Sequence, residues 1–464
     1  MNPGDLIITW NNSYLDLVRK IGGAPGPLAR IGGLMHLAMF EAVNLLTYSE
    51  RRYYTSIPTI QPPTGPADAG ATAAAAARYV LLDSVPTYVK MDFAAQEASP
   101  AFLKSSTNHF QTSPEAAALL ADNKLNYMLP PVPSTGDPAL DTAADALGKQ
   151  IAQTILAANP IGNGADPTIT PPLDPTISGE WRATGSGAAA TPQWGKLKLV
   201  LVAKSPQDYY PKKAIPPGQQ SYSALLASSL YADDLQEVRE KGAATGSTRS
   251  DTETETAFFW ANDLNGTSKP PGQLYTITQI VARQEGILKN QKDADGLLET
   301  ARLFAMVGTA MFNASIVAWQ AKYFWPATGP YVRLWRPETA IGNAATSPDS
   351  TWQPLSTDEN EKHFSPSFPA YVSGHSTFGA AHAAAMKDFF GDDNISFVAT
   401  TEDPHAKGVT RSFTSFTQAA KQNGESRIFL GVHYRFDAEG GYEIGTAVGE
   451  DTAKKFAVAL VAAN

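Results

Sequence analysis

Apolar positions along this chain recur mostly at helical spacing. Residues 5–48 repeat large apolar side chains at i, i+3 and i+4 through WNNSYLDLVRK and ARIGGLMHLAMFEAVNLL, which predicts helices over nearly the whole segment. Ala71–Leu82 is Ala-rich and predicts another, since alanine costs least in a helix. Further helices are predicted over 113–129 and 138–158, separated by PPVPSTGDP. More follow from residue 219 in SYSALLASSLYADDLQEVREKG, then over 251–262, 273–292 and 295–322. Sustained period-2 alternation is rare. The predicted class is mainly α: helical bundles in two four-helix-bundle-like halves, with long irregular loops and little or no sheet. The expected organisation is a single all-helical unit over 1–464, with an N-terminal half at 1–250 and a C-terminal half at 251–464 that carries the chemistry.

Residues 57–70 form a Pro/Gly-rich break, and 159–195 are the longest irregular stretch, of the kind that forms lids or wrapped segments. No internal repeat is evident. The longest apolar window, Leu303–Trp319, has 17 residues and is interrupted by Thr309, Asn313 and Ser315. A membrane span wants about 20 apolar residues, so a buried helix is predicted and no membrane partner is expected. The N-terminus lacks a basic stretch followed by an apolar one, so no secretory signal is expected and the compartment stays open.

Composition narrows the function. The chain has 464 residues, 43% apolar and 17% charged, which suits a globular protein. A net charge of −9 argues against non-specific nucleic-acid binding, which needs clustered Lys and Arg. The absence of cysteine excludes disulfides, Cys-ligated zinc, iron–sulfur clusters and thiol catalysis.

Five of the seven histidines (His363, His375, His382, His405 and His433) fall in the C-terminal part of the chain, among cationic and small residues. Residues 318–341 supply Lys322, Arg333 and Arg336, and Lys with Arg suits a tetrahedral oxyanion. Residues 365–391 contain Ser373-Gly374-His375 before a small-residue run, which reads as a turn into a helix N-terminus. Free N–H groups there attract anions, and Gly374 allows close approach. His382 lies seven residues on and reads as a packed core histidine. Residues 425–445 carry Arg427, His433 and Asp437; a carboxylate four residues from a histidine on a helix face orients it and sets its tautomer. Each segment alone is compatible with capping or surface ion pairing. Together they hold what a phosphate-like trianion requires: cations, a helix-start N–H, a hydroxyl and two histidines for bonding and acid–base work.

These segments resemble the vanadium-dependent haloperoxidases, which share a site pattern with type 2 phosphatidic acid phosphatases and bacterial acid phosphatases. The third motif is intact as Ser426-Arg427, His433 and Asp437. The second appears as Ser373-Gly374-His375 with Val372 in place of proline. In the first, Lys322 stands fourteen residues before Arg336 instead of seven; the intervening Pro326 and Gly329-Pro330 predict a looped-out insertion. Trp335-Arg336-Pro337 matches the family context, which points to Arg336 for the oxyanion, with Arg333 as the alternative. The context is similar to the fungal vanadium chloroperoxidases in particular, through Trp319, Pro366, Phe368 and SRIFLGVHYRFDA, and FFWANDLNG resembles the family's segment whose Asp pairs with the site arginines, which suggests Asp263.

The resemblance implies vanadate bound to His433 and held by Lys322, Arg336, Arg427, Ser373 and the Gly374 N–H. It implies His375 as the acid–base residue and Lys322 as a polarising cation. Trp319, Pro366 and Phe368 would line the halide pocket, with Asp263 and Asp437 as supporting carboxylates. The implied reaction is oxidation of bromide, and of chloride as well, by hydrogen peroxide to hypohalous acid. Organic acceptors are further partners, and the chain is expected to act as a monomer or homodimer. The alternative is a soluble acid phosphatase in which His433 forms a phosphohistidine and His375 protonates the leaving group. A third reading is an oxyanion binder without turnover.

Overall fold

The computed structural model describes residues 6–47, 60, 67–98, 124–162, 181, 189–212, 222–290, 294–324 and 343–457. Arg333, Arg336 and the insertion after Lys322 lie outside the described residues, as do residues 113–123 of the expected fourth helix.

The N-terminal apolar periodicity becomes two helices, α1 (Leu6–Ile21) and α2 (Pro25–Thr47). α2 is buried on all sides from Pro25 to Leu45, which explains its continuous apolar composition. α3 runs Ala69–Ala98, well beyond the expected Ala71–Leu82, and accommodates Pro86 within it. α4 (Pro138–Ala158) starts where Asp137 caps the Ala139 N–H ahead of Pro138 at the first helical position.

The stretch from 219, expected as one helix, is broken. A short helix, Tyr222–Leu226, ends before Ser228, which caps α5 (Ser229–Lys241). α6 (Asp251–Ala261) opens on a reciprocal capping box between Ser250 and Glu253. α7 (Lys269–Gln284) starts before the expected 273 and gives way to a 3₁₀ turn at Ile287–Asn290. α8 (Ala294–Phe324) contains the apolar window. Within it Gly296–Phe324 is long and apolar enough to cross a membrane, and 94% of its most apolar stretch is buried inside the protein. It is a core helix, as expected.

α9 (Gly374–Phe390) follows, then a two-stranded antiparallel hairpin of β1 (Phe397–Thr400) and β2 (Thr410–Phe413) pairing Phe397 with Phe413. α10 (Phe416–Phe429) and α11 (Arg435–Ala453) complete the order. Only β1 alternates buried and exposed residues, so so short a hairpin leaves little trace in the pattern.

One apolar core extends from Leu6 to Phe456. Its most extensive helix pairs are α9 with α11 and α2 with α8. Both rest on glycine. A Cβ at Gly33 would stand 2.8 Å from the Gly308 carbonyl oxygen. On α11, Gly441, Gly445 and Gly449 lie over the carbonyls of Ser373, Thr377 and Ala381, where a Cβ would come within 2.6, 2.2 and 2.7 Å. Real Cβ atoms do not occupy such positions, so this four-residue glycine repeat sets the two backbones in direct contact.

Candidate oxyanion site

The α9–α11 pair brings two helix N-termini to one place. Ser373 caps α9, accepting the Ser376 N–H at 3.3 Å. Gly374 is the first helical residue, so its N–H has no partner within the helix. The Ser373 N–H donates to the Asp437 carbonyl oxygen at 2.9 Å and ties the two helix starts together.

His433 and Asp437 do not share a helix face, as their spacing suggested. α11 begins after Tyr434, so His433 lies just outside it and Asp437, in the first turn, reaches back. The Asp437 Oδ2 accepts the Tyr434 N–H at 2.8 Å and meets His433 Nδ1 at 3.2 Å. Burial raises the pKa of the Asp437 carboxyl; in its ionised form the contact places the hydrogen on Nδ1 and leaves Nε2 with a lone pair. Burial, reinforced by Lys322 and Arg427, holds the His433 pKa well below its ordinary value, so the ring is neutral.

Lys322 ends α8, wholly buried. Its Nζ donates to the Pro369 and Ala370 carbonyls at 2.7 and 3.1 Å and lies 4.5 Å from the Phe368 ring centre. Desolvation pushes it down to about 7, Asp437 opposing. Arg427, on α10, is also buried. Its Nη2 donates to Asp263 Oδ2 at 3.0 Å, whereas its Nε and Nη1 are buried with no hydrogen-bond partner. His375 Nε2 lies 3.1 Å from the Ala261 carbonyl oxygen and 3.9 Å from Asp263 Oδ2. Its pKa is lowered to about 4 by burial and by Arg427, so this ring is neutral as well.

A cleft of about 440 Å³, partly open to solvent, is lined by Asp263, Gly374, His375, Arg427 and His433 on one side. Trp319, Pro366, Phe368 and Phe378 form an apolar wall. Trp319 and Phe368 stand 5.6 Å apart between ring centres. All the described members of the expected site therefore converge on this region. Sequence reasoning missed Pro25, Pro270 and Phe364, which also line the cleft, and Thr191, whose hydroxyl accepts the Trp319 indole N–H at 2.9 Å. Thr191 belongs to the long irregular stretch, whose described end braces the apolar wall. His382 is a core residue as expected, buried at 3.0 Å from the Thr278 hydroxyl.

The donor set suits a tetrahedral oxyanion bonded to histidine. The two orphaned guanidinium donors of Arg427 point to an acceptor-rich anion, because unpaired buried donors are costly, and the helix-start residue Gly374 lines the same cleft. The neutral imidazole of His433 supplies the lone pair. Vanadate meets both requirements.

A helical fold with this donor set is what the resemblance to haloperoxidases and acid phosphatases implies. Residues 302–461 match the VCPO second helical-bundle domain. Vanadium chloroperoxidase of Curvularia inaequalis is 25% identical over an alignment covering 94% of this chain and 80% of that protein. The crystal structure of a bacterial vanadium-dependent iodoperoxidase superposes with a TM-score of 0.68 at 23% identity, covering 98% of this chain and 96% of the other. A holo-type bacterial vanadium-dependent chloroperoxidase gives 0.58 at 15% identity, over 98% and 93%. Residues 302–461 thus carry the second helical-bundle domain of the vanadium chloroperoxidases, and the chain is similar to one of them over most of its length.

Proposed function

We propose that this protein is a haloperoxidase that binds vanadate and uses hydrogen peroxide to oxidise bromide, and chloride as well, to hypohalous acid. The observation that carries the reading is the pair of orphaned Arg427 donors facing the same cleft as the neutral His433. Bound vanadate supplies a Lewis acid that activates peroxide without changing oxidation state. His433 would be its ligand through Nε2. Lys322, Arg336, Arg427, Ser373 and the Gly374 N–H would hold its oxygens and offset their charge. His375, with Nε2 committed to Ala261, takes the proton of incoming peroxide at Nδ1. Asp437 orients His433, and Asp263 orients Arg427. Trp319, Pro366 and Phe368 exclude water from the halide's approach.

The test is a halogenation assay. Protein incubated with orthovanadate and freed of excess is given peroxide, a diketone reporter and bromide, chloride or iodide in separate wells, with phosphate-preloaded protein alongside. Vanadate-dependent turnover suppressed by phosphate is expected, with bromide and chloride both accepted. Release of phosphate from an aryl phosphate, without halide oxidation, would overturn the reading in favour of the phosphatase.

A further inference from the structure

Asp403 lies outside the cleft, in the loop between the two hairpin strands, yet it is 1% exposed. Its carboxylate takes three donors. Oδ2 accepts the Asn262 N–H at 3.1 Å; Oδ1 accepts the His405 N–H at 3.0 Å and meets His405 Nδ1 at 3.1 Å. Asn262 is the turning residue at the end of α6, with φ 44° and ψ 30° in the left-handed region. Asparagine adopts that conformation more readily than other non-glycine residues, aided by local hydrogen bonds. The support is complete: the Asn262 side chain accepts the Glu402 N–H at 3.3 Å and donates to the Lys269 carbonyl at 3.2 Å.

The neighbours of Asn262 are the two groups that steer the site. Ala261 presents its carbonyl to His375 Nε2, and Asp263 presents its carboxylate to Arg427. A shift of this turn therefore moves both at once.

We infer that Asp403 is a positioning residue for the reaction: by clamping the Ala261–Asp263 turn it fixes the His375 tautomer and the Arg427 orientation together. The inference rests on the proposed role of His375 as proton acceptor. In Ala261 the partner is a carbonyl, so Nε2 must carry the hydrogen and Nδ1 keeps the lone pair. Asparagine at 403 has one acceptor atom for the three donors, and its amide would oppose at least one of them.

Asp403→Asn tests this in two independent ways. In vanadate-free protein labelled with ¹⁵N-histidine, long-range ¹H–¹⁵N spectra of the parent should show His375 as a single Nε2–H tautomer, and the variant a mixture. In the halogenation assay the variant should lose about tenfold in kcat, the usual scale for losing an outer-shell partner, and the acid limb of its pH profile should move. His405→Gln keeps the Asp403–Asn262 contact and should leave the His375 spectrum at the parental position. A folded Asp403→Asn variant with the parental spectrum would overturn the inference. The spectrum needs no turnover, so it stands even where the proposed activity fails. Should Asp403→Asn not fold, Asp403→Ser removes the Oδ2 contact with the Asn262 N–H and the buried charge together. It should also shift the His375 spectrum, and an unchanged spectrum there would overturn the inference equally.

Discussion

In the proposed function, His433 is the residue on which anion binding turns. Its Nδ1 is engaged by a carboxylate that is itself held by a backbone N–H, so only Nε2 remains to bond a ligand. His433→Ala removes that lone pair while leaving the surrounding cations in place. Vanadate retained after desalting, measured by elemental analysis, should fall from one equivalent to none. Retention of a full equivalent would assign the bond to another group. The residue types that the described part of the candidate site brings together were legible in the sequence because two motifs carried their own local physics: Ser373-Gly374-His375 at a helix start, and Ser426-Arg427 with His433 and Asp437. The manner of the last was not. Spacing alone places His433 and Asp437 on one helical face, whereas the carboxylate caps the helix and reaches back past its start.

At the scale of elements, the α9–α11 seam decides the distance between the two histidine-bearing segments. Gly445 is its tightest point, with the Thr377 carbonyl 2.2 Å from where a Cβ would stand. Gly445→Ala must separate the helices. Overpacking of this kind costs about 1–3 kcal/mol. Urea unfolding should record that loss, and equilibrium dialysis should record weaker vanadate retention by the folded variant. A variant with parental stability and retention would mean the seam yields without moving the site. Helix periodicity announced most of these elements but missed their interruptions. The break at Ser228 and the extension of α3 past Pro86 depend on packing against other segments, and so does the pairing of two four-residue strands. The bracing by Thr191 and the clamp at Asp403 join residues more than a hundred positions apart. Contacts of that kind carry no periodic signal.

Across the whole molecule, the buried histidines set the response to acid. His36, between Tyr275 and Phe304, and His382 are both held down to about 3 by burial, from 6.5. Below pH 6.5 the unfolded chain takes up protons that the folded one refuses, so this contribution to stability is lost as pH falls toward 3. Asp234 acts oppositely: burial raises it to about 7, which favours the folded state as pH falls through that value. The contribution of one histidine is therefore read as a difference. Between pH 7 and 5 the parent should lose about 2 kcal/mol more than His382→Gln, from one proton over 1.5 units. Urea midpoints at the two pH values measure it, and parallel losses would mean that His382 protonates freely in the folded protein.

The glycine seam has a further consequence. Side chains that space two helices hop between rotamers, and the gap they define breathes with them. Here carbonyl oxygens of one helix rest on bare α-carbons of the other at three successive turns. The spacing of α9 and α11 is thus set by covalent peptide dimensions, and warming has no rotameric freedom to spend there. The gap between the starts of the two helices keeps its width until the helices part.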